Sequence, residues 1–187
     1  MKASETNLRS ILEGNKQFIV PLFQRTYSWD TKEWETLWND LQDLYEEEHP
    51  RNHFIGSTVT IPVDSPASGV AKFLLIDGQQ RLTTILIVLA LLRDQAKSNP
   101  ESTLAEEITD SFLANRYKKG SDYWKLLPTQ ADREPFAAIM YEQTTVRGRF
   151  LTHRLPSQRW ASTRLGERIR SGRSACWAAR ATMMVAV

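Results

Sequence analysis

Cysteine occurs once in these 187 residues, at Cys176. A single thiol excludes an internal disulfide framework and fits a reducing, cytoplasmic setting. Long apolar runs are missing too. The longest, Ile85 to Leu92, falls well short of the roughly 20 residues that a membrane-spanning helix needs. The first residues, Met1-Lys2-Ala3-Ser4-Glu5, are polar and lead into a short amphipathic helix rather than a signal peptide. There is no Ser-His-Asp pattern, no Walker-type lysine loop and no HNH-like histidine cluster, so the chain is not expected to cut DNA by itself. What is present is ordinary for a soluble, cytoplasmic domain without a membrane partner: 41% hydrophobic and 25% charged residues. The length suffices for one packed domain, or one domain and a tail.

The net charge of +2 conceals a division. Residues 1–145 carry 15 basic against 21 acidic side chains, whereas residues 146–187 carry nine arginines, no lysine and one acid, Glu167. The domain is therefore assigned to residues 1–145, and residues 146–187 are read as an Arg-rich tail, irregular or disordered, with no domain of its own. Three readings of the tail compete. It is a basic arm for nucleic acid, a solvated disordered tail, or the product of a frameshift in a GC-rich gene. The abrupt change of composition and the loss of any packing pattern favour the frameshift.

The first 145 residues have a coherent pattern. Leu8, Ile11 and Leu12 share a face of a short helix that Gly14-Asn15 ends. Phe18-Ile19-Val20 reads as a strand stopped by Pro21. Asp30 and Glu33 have capping-box spacing for a helix with a core stripe of Trp34, Leu37, Trp38, Leu41, Leu44 and Tyr45. Its acidic end, Glu46-Glu47-Glu48, opposes the helix dipole. Ser57 to Ile61 alternates as a half-buried strand, Asp64 to Gly69 is a loop, and Phe73 to Ile76 is a buried strand, which together predict a hairpin. A helix apolar on nearly every side follows from Gln79 to about Lys97. Asn99-Pro100-Glu101 predicts another helix, and Asp132 a last one presenting Phe136, Ile139 and Met140.

The most informative segment is Leu75-Ile76-Asp77-Gly78-Gln79-Gln80-Arg81-Leu82-Thr83-Thr84. Strand, glycine turn and helix start make an anion site, because the first amides of a helix lack partners and point outward. Gly78 has no side chain to block an approaching phosphate, so its amide and that of Gln79 are accessible to it. Arg81 supplies a planar fork of donors that can hold two phosphate oxygens. Gln79 or Gln80 could donate to a phosphate or orient a water. Asp77, the only acid of the motif, is the candidate for holding Mg²⁺ through water or for activating the attacking water. Thr83 and Thr84 bring hydroxyls to the first turn.

Three ordered motifs resemble one family. Phe18-Ile19-Val20-Pro21-Leu22-Phe23-Gln24-Arg25-Thr26-Tyr27-Ser28-Trp29, then His53-Phe54-Ile55-Gly56-Ser57, then Ile76 to Thr84 look like the N-terminal domain of GmrSD-type modification-dependent restriction endonucleases. Lys125 to Arg133 resembles it as well, and the likeness covers about residues 5–143. The resemblance implies an α/β (α+β), ParB/sulfiredoxin-like fold, a small sheet with packed helices. It also implies a site for a nucleoside triphosphate with Mg²⁺, hydrolysed in some members. It places Gln24 and Arg25 beside the Asp77–Arg81 turn, Arg25 as a second cation, with Tyr27 and Trp29 lining the base or a neighbouring pocket. Complete members carry a His-Me type nuclease domain that cuts modified DNA. The likeness stops here after about Gln143, so an incomplete domain and a non-functional remnant are among the expectations.

Each assignment has a structural rival. Asp77 and Gln80 also have capping-box spacing, which would make Asp77 a helix cap. Arg81 could be a surface helix residue. Arg25 beside Tyr27 and Trp29 could be cation–π packing. Trp34 and Trp38 read as core. His49 and His53 form a weak metal signal, His53 reads as structural, and no metal site is assigned. Nothing is assigned to His153. Two functional classes remain: a nucleotide-binding regulatory domain of a phage-defence restriction system, with or without hydrolysis, or a non-catalytic nucleic-acid or partner-binding module on a ParB-like fold.

Overall fold

The computed structural model describes residues 4–46, 52–64, 69–97 and 101–141. The expectations for His49, Asn99, Pro100, His153, Cys176 and the tail of residues 146–187 lie outside the described residues.

Helix α1 (Leu8–Leu12) starts where the Asn7 side chain accepts the Ser10 amide at 2.7 Å. Gly14, at φ +86°, then turns the chain into β1 (Lys16–Ile19). Helix α2 (Thr31–Glu46) has the expected box: Asp30 Oδ1 accepts the Lys32 amide, and Glu33 accepts the Asp30 amide. Its stripe faces inward, with Trp34, Leu37 and Trp38 buried and Leu41, Leu44 and Tyr45 half-buried. Strands β2 (Val59–Val63) and β3 (Ala71–Asp77) form the expected antiparallel hairpin. However, β2 begins two residues later than its alternation suggests. The Ser57 carbonyl accepts from Arg81 instead of joining the ladder, and Thr58 packs against Gly78.

Helix α3 (Gln79–Ala96) is buried along most of its length, as an all-round apolar sequence requires. The next helix, α4 (Leu104–Ile108), starts three residues after Glu101, which lies in a turn, so the expected opening at Glu101 is corrected. Helix α4 widens into a π-helical turn, Thr109–Leu113. After a 3₁₀ turn at Gly120–Asp122 come the two-residue strand β4 (Leu126–Leu127) and helix α5 (Arg133–Met140). Asp132 stands at the start of α5 as expected, but its side chain does not cap the helix.

The four strands lie in the order β2-β3-β1-β4, with β1 parallel to both β3 and β4. A mixed α/β fold results, as the sequence predicts. One core joins Phe18, Leu75 and Leu126 of the sheet to Leu82, Leu86 and Leu89 of α3, Trp34 and Trp38 of α2, and Phe136 and Met140 of α5. Buried Arg93 ties α3 to the end of α5 by donating to the Met140 carbonyl at 2.8 Å. No helix among the described residues is long and apolar enough to cross a membrane.

The polar part of the interior is concentrated around β1. Gln17 donates to the Ser121 and Trp124 carbonyls, and Asn115 donates to those of Lys16 and Asp122. Lys125 is 1% exposed, and its Nζ donates to the carbonyls of Leu12, Gly14 and Ser111 at 2.6, 2.9 and 2.8 Å. Burial, helped by the charge on Lys16, lowers its pKa to about 8, so the ammonium is the form present at neutral pH.

Candidate functional site

Three parallel strands, β3, β1 and β4, end on the same edge of the sheet, and the segments that follow them meet there. Such an edge, beyond the carboxyl ends of parallel strands, is where open α/β sheets bind ligands. After β3 comes Gly78 and the start of α3. After β1 comes the loop Pro21–Asp30. After β4 comes Pro128–Asp132.

Side chains of α3 clamp the first loop. Gln24 Nε2 donates to the Ile76 carbonyl at 2.8 Å, and Gln79 Nε2 donates to the Arg25 carbonyl at 3.0 Å and to Gln24 Oε1 at 3.4 Å. Gln80 takes the Ser28 amide on Oε1 at 2.9 Å and donates from Nε2 to the Thr26 carbonyl at 3.1 Å. The structure thus brings Gln24 and Arg25 beside the turn. It also gives buried Gln79 and Gln80 a positioning task, with their amides on backbone groups. Asp132 joins the third segment, accepting the Tyr27 amide at 2.9 Å and the Thr129 hydroxyl at 2.5 Å.

Asp77 is not a helix cap. The cap position belongs to Gly78, at φ +93°, a conformation that only glycine adopts without strain. A Cβ there would stand 3.2 Å from Thr58 Oγ1 and 3.3 Å from the Ser57 carbonyl oxygen. Capping-box spacing at Asp77 and Gln80 is therefore coincidental: the Gln80 amide is turned to the Tyr27 loop. The Asp77 side chain is 61% exposed and faces Arg81 at 3.8 Å.

Arg81 reaches back across the turn. Its Nη1 donates to the Ile55 carbonyl at 3.1 Å and its Nη2 to that of Ser57 at 2.7 Å. Between those carbonyls lies Gly56, at φ +106°, where an added Cβ would stand 1.4 Å from Arg81 Nη1. The glycine of the His53–Ser57 motif is thus the seat of the arginine of the Asp77–Arg81 motif. No spacing or periodicity in the sequence joins the two motifs. The only available signal was a glycine inside an otherwise bulky segment. The guanidinium remains 28% exposed.

Thr83 and Thr84 face the interior. Thr84 Oγ1 donates to the Gln80 carbonyl, Tyr27 OH donates to Thr84 Oγ1 at 2.7 Å, and Trp34 Nε1 donates to Tyr27 OH at 2.6 Å. Every proton in this relay has one acceptor. Tyr27 and Trp29 pack partly buried against the core. His53 lies 3.6 Å from Asp40 of α2. Among the described residues no group of three or more His, Cys, Asp or Glu could hold a metal ion.

The relay predicts a stability effect. Tyr27→Phe leaves the buried Trp34 Nε1–H without its acceptor and should cost about 1–3 kcal/mol in chemical denaturation. Burial raises the Tyr27 pKa, Glu33 raises it further, and the Trp34 N–H that donates to the hydroxyl opposes them. A raised folded-state pKa means that the unfolded tyrosine ionises first. The contribution is therefore complete below the ordinary value of 10.0 and is lost as pH rises through the higher folded value. Denaturation midpoints above pH 10.0 should fall less steeply in Tyr27→Phe than in the parent.

Comparison with known protein families gives a match over residues 8–162 to the model described as GmrSD restriction endonuclease, N-terminal domain. No curated protein matches the chain.

Proposed function

The chain belongs to the family of GmrSD restriction endonuclease N-terminal domains, and from that premise we propose that it is the nucleotide-responsive regulatory domain of a modification-dependent restriction system. Its ligand is a nucleoside triphosphate with Mg²⁺, and its partner is a nuclease domain or subunit of the His-Me type, through which it acts on DNA. The ParB/sulfiredoxin-like relationship and a cytoplasmic setting belong to the same reading.

One observation carries it. Arg81 stands in the first turn of an 18-residue helix with no acid in that turn, at the end where the macrodipole is positive. A cation is unfavourable there unless anions accompany it. Asp77, exposed and 3.8 Å away, offsets the charge only in part. Bound phosphates would complete the balance, taking the remaining guanidinium donors, the Gly78 and Gln79 amides and exposed Arg25. Asp77 alone is too small a ligand set for a dedicated metal cage. It suits a hydrated Mg²⁺ that arrives on the phosphates, since Mg²⁺ is usually held by one or two carboxylates plus substrate oxygens. Mg²⁺ held there would supply charge neutralisation for the phosphates, and Asp77 would be the residue to orient a water for hydrolysis.

The test is thermal unfolding with each nucleoside triphosphate and Mg²⁺. A ligand at a hundred times its dissociation constant raises stability by about 2.7 kcal/mol. Arg81→Ala should abolish that rise, and Arg25→Ala should reduce it. A parent chain indifferent to all four nucleotides would defeat the reading and leave the binding-module alternative.

A further inference from the structure

The site has an aromatic side as well as a cationic one. The sequence resemblance has Tyr27 and Trp29 line the base or a neighbouring pocket; both rings pack partly buried against the core, and the Tyr27 hydroxyl is held between Trp34 and Thr84. Two other rings stand in water. Phe23 is 77% exposed and Phe54 is 83% exposed. An exposed phenylalanine is unremarkable singly, but these two hold matching places. Phe23 precedes Gln24, whose side chain is fastened to the Ile76 carbonyl at the end of β3. Phe54 precedes Ile55, whose carbonyl holds Arg81. The loops that carry the two rings are therefore both fastened to one turn, each through the residue next to its phenylalanine. Their backbones are fixed, so the rings are displayed at little further entropic cost.

We propose that Phe23 and Phe54 are the base-binding residues of this site. The inference rests on the phosphate reading of Arg81 and extends it. A surface with guanidinium groups (Arg25 and Arg81) beside exposed aromatic rings complements a ligand that is anionic at one end and a flat π-system at the other. A nucleotide has that form; a bare polyphosphate or an apolar peptide has half of it. Every base presents a π-face, so stacking on phenylalanine gives affinity with modest base preference.

Calorimetric titration of the full chain separates the two ideas. The probes are inorganic tripolyphosphate and the four nucleoside triphosphates, each with Mg²⁺. Stacking on an aromatic side chain is worth a factor of roughly 5 to 150 per base. At least one nucleoside triphosphate should then bind about tenfold or more tightly than tripolyphosphate. Phe23→Ala and Phe54→Ala should each remove most of that advantage and leave tripolyphosphate affinity unchanged. Phe→Trp at either position should restore it, which a general loosening of the loop would not do. Equal affinity for tripolyphosphate and every nucleotide, or alanine variants that bind nucleotides like the parent, would overturn the assignment while the phosphate site stands. Failure of both probe classes to bind would overturn the phosphate reading and this assignment with it.

Discussion

Lys125→Met should destabilise this domain by several times the effect of an ordinary surface substitution. The substitution keeps the length and apolar character of the stem and removes only the ammonium. It takes the ammonium donor away from the carbonyls of Leu12, Gly14 and Ser111 at a residue that is 1% exposed, while the Gly14 carbonyl keeps the Lys16 amide. Each buried acceptor left unpaired costs about 1–3 kcal/mol, offset in part because the variant no longer carries a charge that burial disfavours. Against a total stability of about 5–15 kcal/mol that is a large share. Lys125→Arg should fare little better. Three convergent carbonyls match the three rotatable donors of an ammonium, and a planar guanidinium is both larger and wrongly shaped. Urea denaturation would read both variants. A midpoint for Lys125→Met within experimental scatter of the parent would show that the three carbonyls are not held by this lysine.

Gly56→Ala should cost about 3 kcal/mol and take the nucleotide response with it. One part is backbone strain: φ +106° lies where L-residues are rarely found, at a cost of order 1–3 kcal/mol. The other part is Arg81, whose Nη1 would have to leave, breaking the bonds to Ile55 and Ser57. Gly120→Ala is the control, because Gly120 also has positive φ but nothing within 4 Å. It should lose about 1 kcal/mol and leave the site untouched. A double-mutant cycle isolates the contact: in an Arg81→Ala background, Gly56→Ala should be milder by the cost of displacing the guanidinium. Equal penalties in both backgrounds would mean that the arginine is not seated on this glycine.

How much of this was legible in the residues depends on the range of the interaction. Local signals were reliable. The stripe of α2 and its Asp30–Glu33 box, the all-round apolar helix α3, and the hairpin of β2 and β3 could be seen because 3.6- and 2-residue periods are written into neighbours. Misplacements occurred where a tertiary partner overrode the local pattern. Ser57 alternates like a strand residue, but its carbonyl serves Arg81. Asp77 has the spacing of a cap, yet Gly78 holds that position and Gln80 bonds to a loop more than 50 residues earlier. At the site, the Gln24-Arg25 loop lies beside the turn as the resemblance implied. The seat of Arg81 on Gly56 and the Asp132 link to Tyr27 had no local signature. Lys125 was the least visible of all. A lone lysine between a tryptophan and two leucines gives no hint that three distant carbonyls converge on it.

Strand β1 carries a consequence for how the molecule is made. Of the four described strands it is the first to leave the ribosome, and it lies inside the sheet, between β3 and β4. Its partners on one side, Leu126 and Leu127, are translated more than 100 residues later. At about 5–20 residues per second, that interval is of order 5–20 seconds. Throughout it, the Phe18 and Val20 amides lack the Lys125 and Leu127 carbonyls that receive them in the finished fold. An unpaired strand with apolar side chains is a template for pairing with the wrong chain. The same late segment delivers Lys125 to its carbonyls and Asp132 to the Tyr27 loop, so closure of the sheet, filling of its polar interior and completion of the site all wait for residues 125–132. The nascent chain, rather than the finished domain, is the form most exposed to aggregation.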